Sequence, residues 1–271
     1  MKDNKEKILR SSLSTLLKRF SDTDLISTLD KQYNSTTPGY IHIYQIDDNH
    51  VLKKARINDD RLSDIMTHIS EKGVDTPLFI MRNGDDRFEV LYPRIVYMAA
   101  KKLKWDCLPC TVIDINEEDM LVFLATRLRD TKGSNIVELS LILNRLQKKY
   151  KYRQKEIAEM MKQSRSQITN IMRLIKMPEW ILRDIADEKL SFGHARAIST
   201  LDEEEMSNFV RMVYEENLSV RELEERVRKH KKHETKDSKK KSYNYVVKKK
   251  EIIIKFDCEE EKEEFIKTLN K

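Results

Sequence analysis

The chain has 271 residues, 36% of them charged, with 52 Lys/Arg against 46 Asp/Glu, a net charge of +6 and a pI near 9.0. That length exceeds one compact core at this hydrophobicity, so two or three domains are expected, and only five glycines and five prolines predict a mainly helical protein. No apolar run approaches the roughly 20 residues of a membrane span, the polar start has no signal-peptide pattern, and three cysteines suit a reducing compartment, so a cytoplasmic protein with no membrane partner is expected.

Residues 1–37 are polar and close on the turn-rich Asn34-Ser35-Thr36-Thr37-Pro38-Gly39, which predicts a flexible N-terminal segment. Within it Ile8, Leu13, Leu16 and Leu17 space a short amphipathic helix. Residues 38–130 form a mixed domain. Strands are expected at Tyr40–Ile46 and Leu78–Arg82, and Asn83-Gly84-Asp85-Asp86 turns a hairpin into Phe88–Leu91. Helices are expected at Asp59–Lys72, Arg94–Leu103 and Glu117–Arg129, the last capped by Asn116. Cys107 and Cys110 make a lone C-x-x-C; a zinc site needs a second pair, and Pro109–Ile115 reads as a strand, so both cysteines are assigned structural roles and no metal is expected.

Residues 131–230 are expected to form an all-helical domain. Ile157, Met160 and Met161 give one amphipathic pattern, and Ile168, Ile171, Met172 and Ile175 give a second. Ser164 stands where it would cap the second helix and Pro178 closes it. The result is a helix-turn-helix with Ser164–Lys176 as recognition helix. Gln154, Ser164, Arg165, Ser166, Gln167, Thr169, Asn170 and Arg173 are its candidate contacts to phosphates and base edges of double-stranded DNA. Residues 148–177 hold nine Lys/Arg against two Glu, a local +7 that exceeds the charge of the whole chain. Charge concentrated in this way is an electrostatic footprint for a polyanion; the alternative is a solvated helical hairpin.

From Arg226 to Lys250 twelve Lys/Arg stand against Glu234 and Asp237. Such a run is expected to act as a linker, centred on 231–243, that holds DNA without regard to sequence, with Lys239, Lys240 and Lys241 at its middle. Val246-Val247 and Ile252–Phe256 read as two strands, and Glu260–Leu269 completes a ββα unit over 244–271. A unit this small encloses too little core alone, which predicts a homodimer.

Leu190-Ser191-Phe192-Gly193-His194-Ala195-Arg196-Ala197-Ile198 resembles the LSxGHARAL signature of ParB-type centromere-binding proteins, and the helix-turn-helix resembles that of the same family. The resemblance implies that His194 and Arg196 approach DNA, although His194 by itself reads as a capping or packing residue. It also implies a partner ATPase of the ParA type, since Leu9–Leu17 is faintly similar to the family's ATPase-binding peptide; a leader helix with no partner is the alternative. Glu71–Leu78 resembles the family's EHGVxxPI segment, which implies a nucleotide contact at Gly73 in a domain that binds and slowly hydrolyses CTP.

Departures from the family lie where the phosphates would sit. Its GERRxRAA motif falls on Pro93-Arg94-Ile95-Val96-Tyr97-Met98-Ala99-Ala100, leaving only Arg94 as a candidate. Its ENIQRxxL motif falls on Thr126-Arg127-Leu128-Arg129-Asp130-Thr131-Lys132-Gly133. A proline offers no N–H, and Ile95 and Val96 neutralise no charge. The expectation is a degenerate nucleotide domain, with no cofactor and CTP not favoured, no catalytic residue assigned and enzymatic activity left open. Arg94, Arg127, Arg129 and Lys132 rebuilding an anion cradle in another register is the alternative.

The expected fold is thus α+β and mainly helical: a small α/β ParB-like domain, an all-α helix-turn-helix domain and a ββα dimer unit. The expected function is binding of a palindromic centromere-like site, for partition of a plasmid, mobile element or chromosome on the bacterial nucleoid. A transcriptional regulator or nucleoid-associated protein on the same platform is the alternative, and a nucleotide hydrolase or nuclease is the alternative from another class.

Overall fold

The computed structural model describes residues 38–84, 86–131, 133–237, 244–248 and 251–256, with Glu259, Lys262, Glu263, Phe265 and Ile266. Two compact units divide between Val220 and Arg221. The first begins with a departure from expectation. In place of one strand over 40–46, β1 (Gly39–His42) is followed by a 3-10 turn at Ile43–Gln45 and then by β2 (Ile46–Asp47). With β3 (Leu78–Arg82), β4 (Phe88–Tyr92) and β5 (Cys107–Ile113) these make a five-stranded sheet of order β1-β5-β3-β4-β2. The short turn therefore carries the chain from one edge to the other. Four interstrand spacings in a flat sheet span about 19 Å, whereas four residues reach only about 14 Å, so the sheet must curl.

Strand β3 is buried on both faces because a helical layer covers each. Leu78 and Ile80 share a core with Leu62, Ile69 and Tyr97, from α1 (Asp59–Lys72) and α2 (Arg94–Lys102). Phe79, on the opposite face, joins α3 (Glu117–Asp130). Helix α1 begins where the Asn58 side chain accepts from Arg61 N, and stops at Gly73, whose φ of +79° suits glycine. Asn116 caps α3 as expected, accepting from Asp119 N at 2.9 Å. Met120–Thr126 are all buried, the mark of a helix enclosed on every side.

Against α3 lies α4 (Ile136–Tyr150), followed by α5 (Gln154–Met160), α6 (Arg165–Arg173), a 3-10 turn at Leu174–Lys176, α7 (Glu179–Ala186), α8 (Phe192–Ile198) and α9 (Glu203–Glu216). One hydrophobic core runs without interruption from Phe79 and Leu91 through Leu121, Phe123 and Ile142 to Ile157, Ile168 and Ile171. The mainly helical α+β class is as expected.

The unit boundary falls at the start of α10 (Val220–Asp237). The first part of the basic run, 226–237, thus continues a helix where a linker was expected, and Lys229 pairs with Glu225 at 3.0 Å across one helical turn. Beyond it β6 (Asn244–Lys248) and β7 (Glu251–Lys255) pair antiparallel, with Tyr245 opposite Ile254 and Lys248 opposite Glu251. Helical residues follow, and the rings of Phe256 and Phe265 stand 5.4 Å apart. Two strands and then helical residues are the order read from the sequence.

Candidate nucleic-acid interface

The helix-turn-helix is built from the apolar residues that the periodicity selects. Ile157, Ala158 and Met161 meet Ile168, Ile171 and Met172, all buried in one core. Between α5 and α6 the chain reverses at Lys162, which takes φ +51°, while Gln163 N donates to Ala158 O at 3.0 Å. Ser164 caps α6, its hydroxyl accepting from Gln167 N at 3.1 Å. Burying that apolar stripe turns Arg165, Ser166, Gln167 and Arg173 outward, with Thr169 and Asn170 at its flank. Arg165, Arg173 and Lys176 are exposed and have no ion-pair partner among the described residues.

Two of the expected contacts hold each other. Thr169 Oγ1 donates to Gln154 Oε1 at 3.1 Å, fixing the start of α5 against the middle of α6. The amide nitrogen of Gln154 is thereby the group turned away from Thr169.

Two residues that sequence reasoning did not assign to this face, one unnoticed and one set aside for an anion cradle, support it from behind. Asn144 on α4 is buried and donates through Nδ2 to Met172 O at 2.9 Å, at the end of α6. Arg129 donates through Nη1 to Met160 O at 3.1 Å, at the end of α5. For Asn144 a signal existed: an amide set among Leu139, Ile142, Leu143 and Leu146 has to find a buried partner.

In α8 the Ser191 hydroxyl accepts from His194 N at 3.2 Å and lies 2.9 Å from His194 Nδ1, and His194 Nε2 lies 3.0 Å from Leu218 O. Both ring nitrogens are thus engaged internally, and His194 acts as a packing histidine. Arg196 is exposed on the same helix. A β-carbon on Gly193 would come within 2.9 Å of a Val220 methyl, so glycine is what lets α8 approach the first residue of α10.

The residues expected to hold a nucleotide are dispersed. Arg94 is 6% exposed; its Nε and Nη2 donate to the two carboxylate oxygens of Asp48 at 2.7 and 2.8 Å, and its Nη1 donates to Glu138 at 2.6 Å and to Ala55 O at 3.0 Å. Burial opposes the Arg94 charge, but Asp48 and Glu138 outweigh it and hold the group firmly protonated. Arg127 stacks over the rings of Phe79 and Phe123, and Arg129 pairs with Asp130. Each arginine has partners within the protein, and Arg127 and Arg129 both act on the Asp130 carboxylate. Gly73 stands with open space around it. Lys132, Lys239, Lys240, Lys241 and the N-terminal peptide lie outside the described residues.

Beside Pro93 a cavity of about 430 Å³ opens, with Leu91 and Leu124 on one wall and Ile185 and Leu190 on another. Among the described residues its charged lining groups are Arg61 and Arg94 with Glu138 and Glu188. Pro93 stands at the start of α2 with no N–H to offer. Among the described residues, both cations of the lining are already paired, Arg94 with Asp48 and Glu138 and Arg61 with Glu188. The cysteines lie on β5 as a strand pair, and burial pushes the Cys110 thiol up to about 12, far from a reactive thiolate.

Comparison with known proteins gives two matches in chain order: the ParB N-terminal domain over residues 27–126 and the ParB HTH domain over residues 133–232. A probable chromosome-partitioning protein ParB from Pseudomonas putida is 28% identical over 169 residues, 62% of this chain and 58% of that protein. The chain therefore spans less than two thirds of that relative's length. A nucleoid occlusion protein from Bacillus cereus is 24% identical over 190 residues, 70% of this chain and 66% of the relative. Among solved structures, a C-terminally truncated ParB from Caulobacter crescentus complexed to the centromeric parS site is 22% identical, covering 70% of this chain and 99% of that one at a TM-score of 0.42. The same Caulobacter crescentus protein complexed with CTP-gamma-S is 23% identical, covering 62% of this chain and 94% of that one at a TM-score of 0.34. With both domain types of one family matched in sequence order over most of its length, the chain belongs to the ParB family.

Proposed function

We propose that this protein binds double-stranded DNA as a homodimer at a palindromic centromere-like site and serves partition of a plasmid, mobile element or chromosome. The observation that carries the reading is the outer face of α6, where Arg165, Gln167 and Arg173 stand exposed over a fully buried apolar stripe. A helix held from behind by Asn144 and Gln154 and cationic in front has the character of a major-groove reader. Arg196 adds a further cation from α8. The ββ unit supplies dimer contacts, and the Lys239–Lys241 run adds sequence-independent affinity that weakens steeply with salt. A ParA-type ATPase engages the N-terminal segment, and the protein sits on the bacterial nucleoid.

CTP has no part in this reading, because Arg94 is committed to Asp48 and Glu138 and Pro93 replaces a backbone donor. Binding is then confined to the site and its immediate neighbours. Calorimetric titration with CTP, with and without site DNA, tests this point; micromolar binding with DNA-stimulated hydrolysis would overturn it.

Sequencing of DNA co-purified with the protein from cells tests the main proposal. A few sharp sites, one near its own gene, are expected. Broad, even occupancy would replace partition with a nucleoid-associated or regulatory role.

A further inference from the structure

Two positions in the turn from α4 into α5 hold residues that their backbone does not favour. Lys151 closes α4 at φ +61° and ψ +24°, the left-handed conformation in which a β-carbon is crowded and glycine is the usual residue. Arg153 stands at the N-cap of α5, where a short oxygen-bearing side chain normally accepts from the first turn. Arginine carries no acceptor, no side-chain cap bond is made, and its charge sits at the positive end of the helix dipole. Asn116, Ser164 and Asp202 show what this chain uses where capping alone decides. Between the two cations Tyr152 is buried and donates to Glu118 Oε1 at 2.9 Å, so the turn is anchored while both neighbours stay exposed. Glu156 is spent on the Arg153 N–H at 2.7 Å, and neither Lys151 nor Arg153 has an ion-pair partner among the described residues. Lys162, the left-handed residue at the other end of α5, differs, because its charge acts on Asp130.

We propose that Lys151 and Arg153 grip the DNA backbone beside α6, each position giving up local stability for a cation that a phosphate neutralises. This grip presupposes the DNA-binding reading above and adds two residues that it does not contain. Their placement supports it. Gln154, the next residue, is held by Thr169 at 3.1 Å, so the start of α5 lies against the middle of α6. In a helix-turn-helix the first helix crosses the sugar-phosphate backbone while the second lies in the groove. Cations just ahead of α5 then meet the strand that borders that groove, where they fix register and add affinity without reading bases. Folding alone favours glycine at 151 and serine, threonine, asparagine or aspartate at 153.

The test replaces each cation, in the full chain, by a residue that folding prefers. Lys151→Gly and Arg153→Thr should each raise the urea midpoint. Each should also weaken binding to a random-sequence duplex and to a site duplex recovered from cells by the same factor, about five- to tenfold, and flatten the slope of log affinity against log salt by about one. The double variant should lose about two from that slope. Lys104→Gly replaces another left-handed lysine, after α2, and should raise the midpoint with DNA affinity unchanged. Unchanged affinity and slope in the folded double variant, with Arg173→Ala still weakening the site duplex, overturns the grip and leaves the DNA-binding reading standing. A midpoint that falls in both single variants assigns the two residues to stability and overturns the grip as well. No binding of either duplex by the unaltered chain overturns both.

Discussion

Arg94 Nη1 and Glu138 Oε1 meet at 2.6 Å across 44 residues of sequence, joining the start of α2 to the first turn of α4. Asp48 completes the arrangement with a two-pronged contact to the same guanidinium. The one arginine left in the anion-binding motif has become an internal brace.

Removing it should therefore damage stability. Arg94→Ala leaves the Asp48 and buried Glu138 carboxylates without their shared arginine and should cost about 3–5 kcal/mol in urea unfolding. Arg94→Met combined with Glu138→Leu and Asp48→Asn should recover most of the loss. An Arg94→Ala protein as stable as the original would return Arg94 to an anion-binding role.

On α6, Gln167→Ala or Asn170→Ala should weaken binding to the cognate site by about 1–3 kcal/mol and relax preference at one or two base pairs. Thr169→Val removes the bond to Gln154 and should weaken binding while leaving Gln167 and Asn170 intact. Competition between cognate and random duplex is the measurement; an unchanged ratio in all three variants would move recognition off α6.

Packing of α8 gives a sharper test. Gly193→Ala sets a methyl 2.9 and 3.2 Å from the two Val220 methyls, an overpacking of about 1–3 kcal/mol, relieved by up to about 1 kcal/mol from alanine's better helix propensity. The double change Gly193→Ala, Val220→Ala should restore stability. A double-mutant cycle with no coupling between the two positions would contradict the contact.

Acid stability should respond to Glu117. Burial disfavours its charge, but Lys149 and Arg145 donate to it and hold its carboxyl down at about 2, below its ordinary 4.5. A carboxyl depressed on folding contributes stability above about pH 4.5, and that contribution is lost as the pH falls toward 2. Because its partners Arg145 and Lys149 are more than a third exposed and screened by solvent, the effect should be about 1 kcal/mol. Glu117→Gln should flatten the stability profile across that window, and a profile still steep by the same amount would assign the acid limb to other carboxylates.

Much of this was readable in the residues. Asp59–Lys72 and Leu78–Arg82 lie where their periodicity sets them, and Ser164 and Asn116 cap the helices they precede, because caps and periodicity are local signals. Two things were not local. The expected strand over 40–46 breaks because β1 and β2 find partners, β5 and β4, that lie at opposite sides of the sheet. The Asp48–Arg94–Glu138 brace draws on three separate elements, and nothing in the pattern around any one residue points to the other two. The helical start of the basic run was hidden by its charge, which masked the Glu225–Lys229 spacing.

The uninterrupted core from Phe79 to Ile171 also bears on how the molecule melts. The sheet and α6 share buried neighbours through α3 and α4, so neither can lose its packing while the other keeps it. A single thermal transition should thus carry both, and a cavity cut at the fully buried Phe123 should blunt DNA binding at temperatures where the uncut protein is still whole.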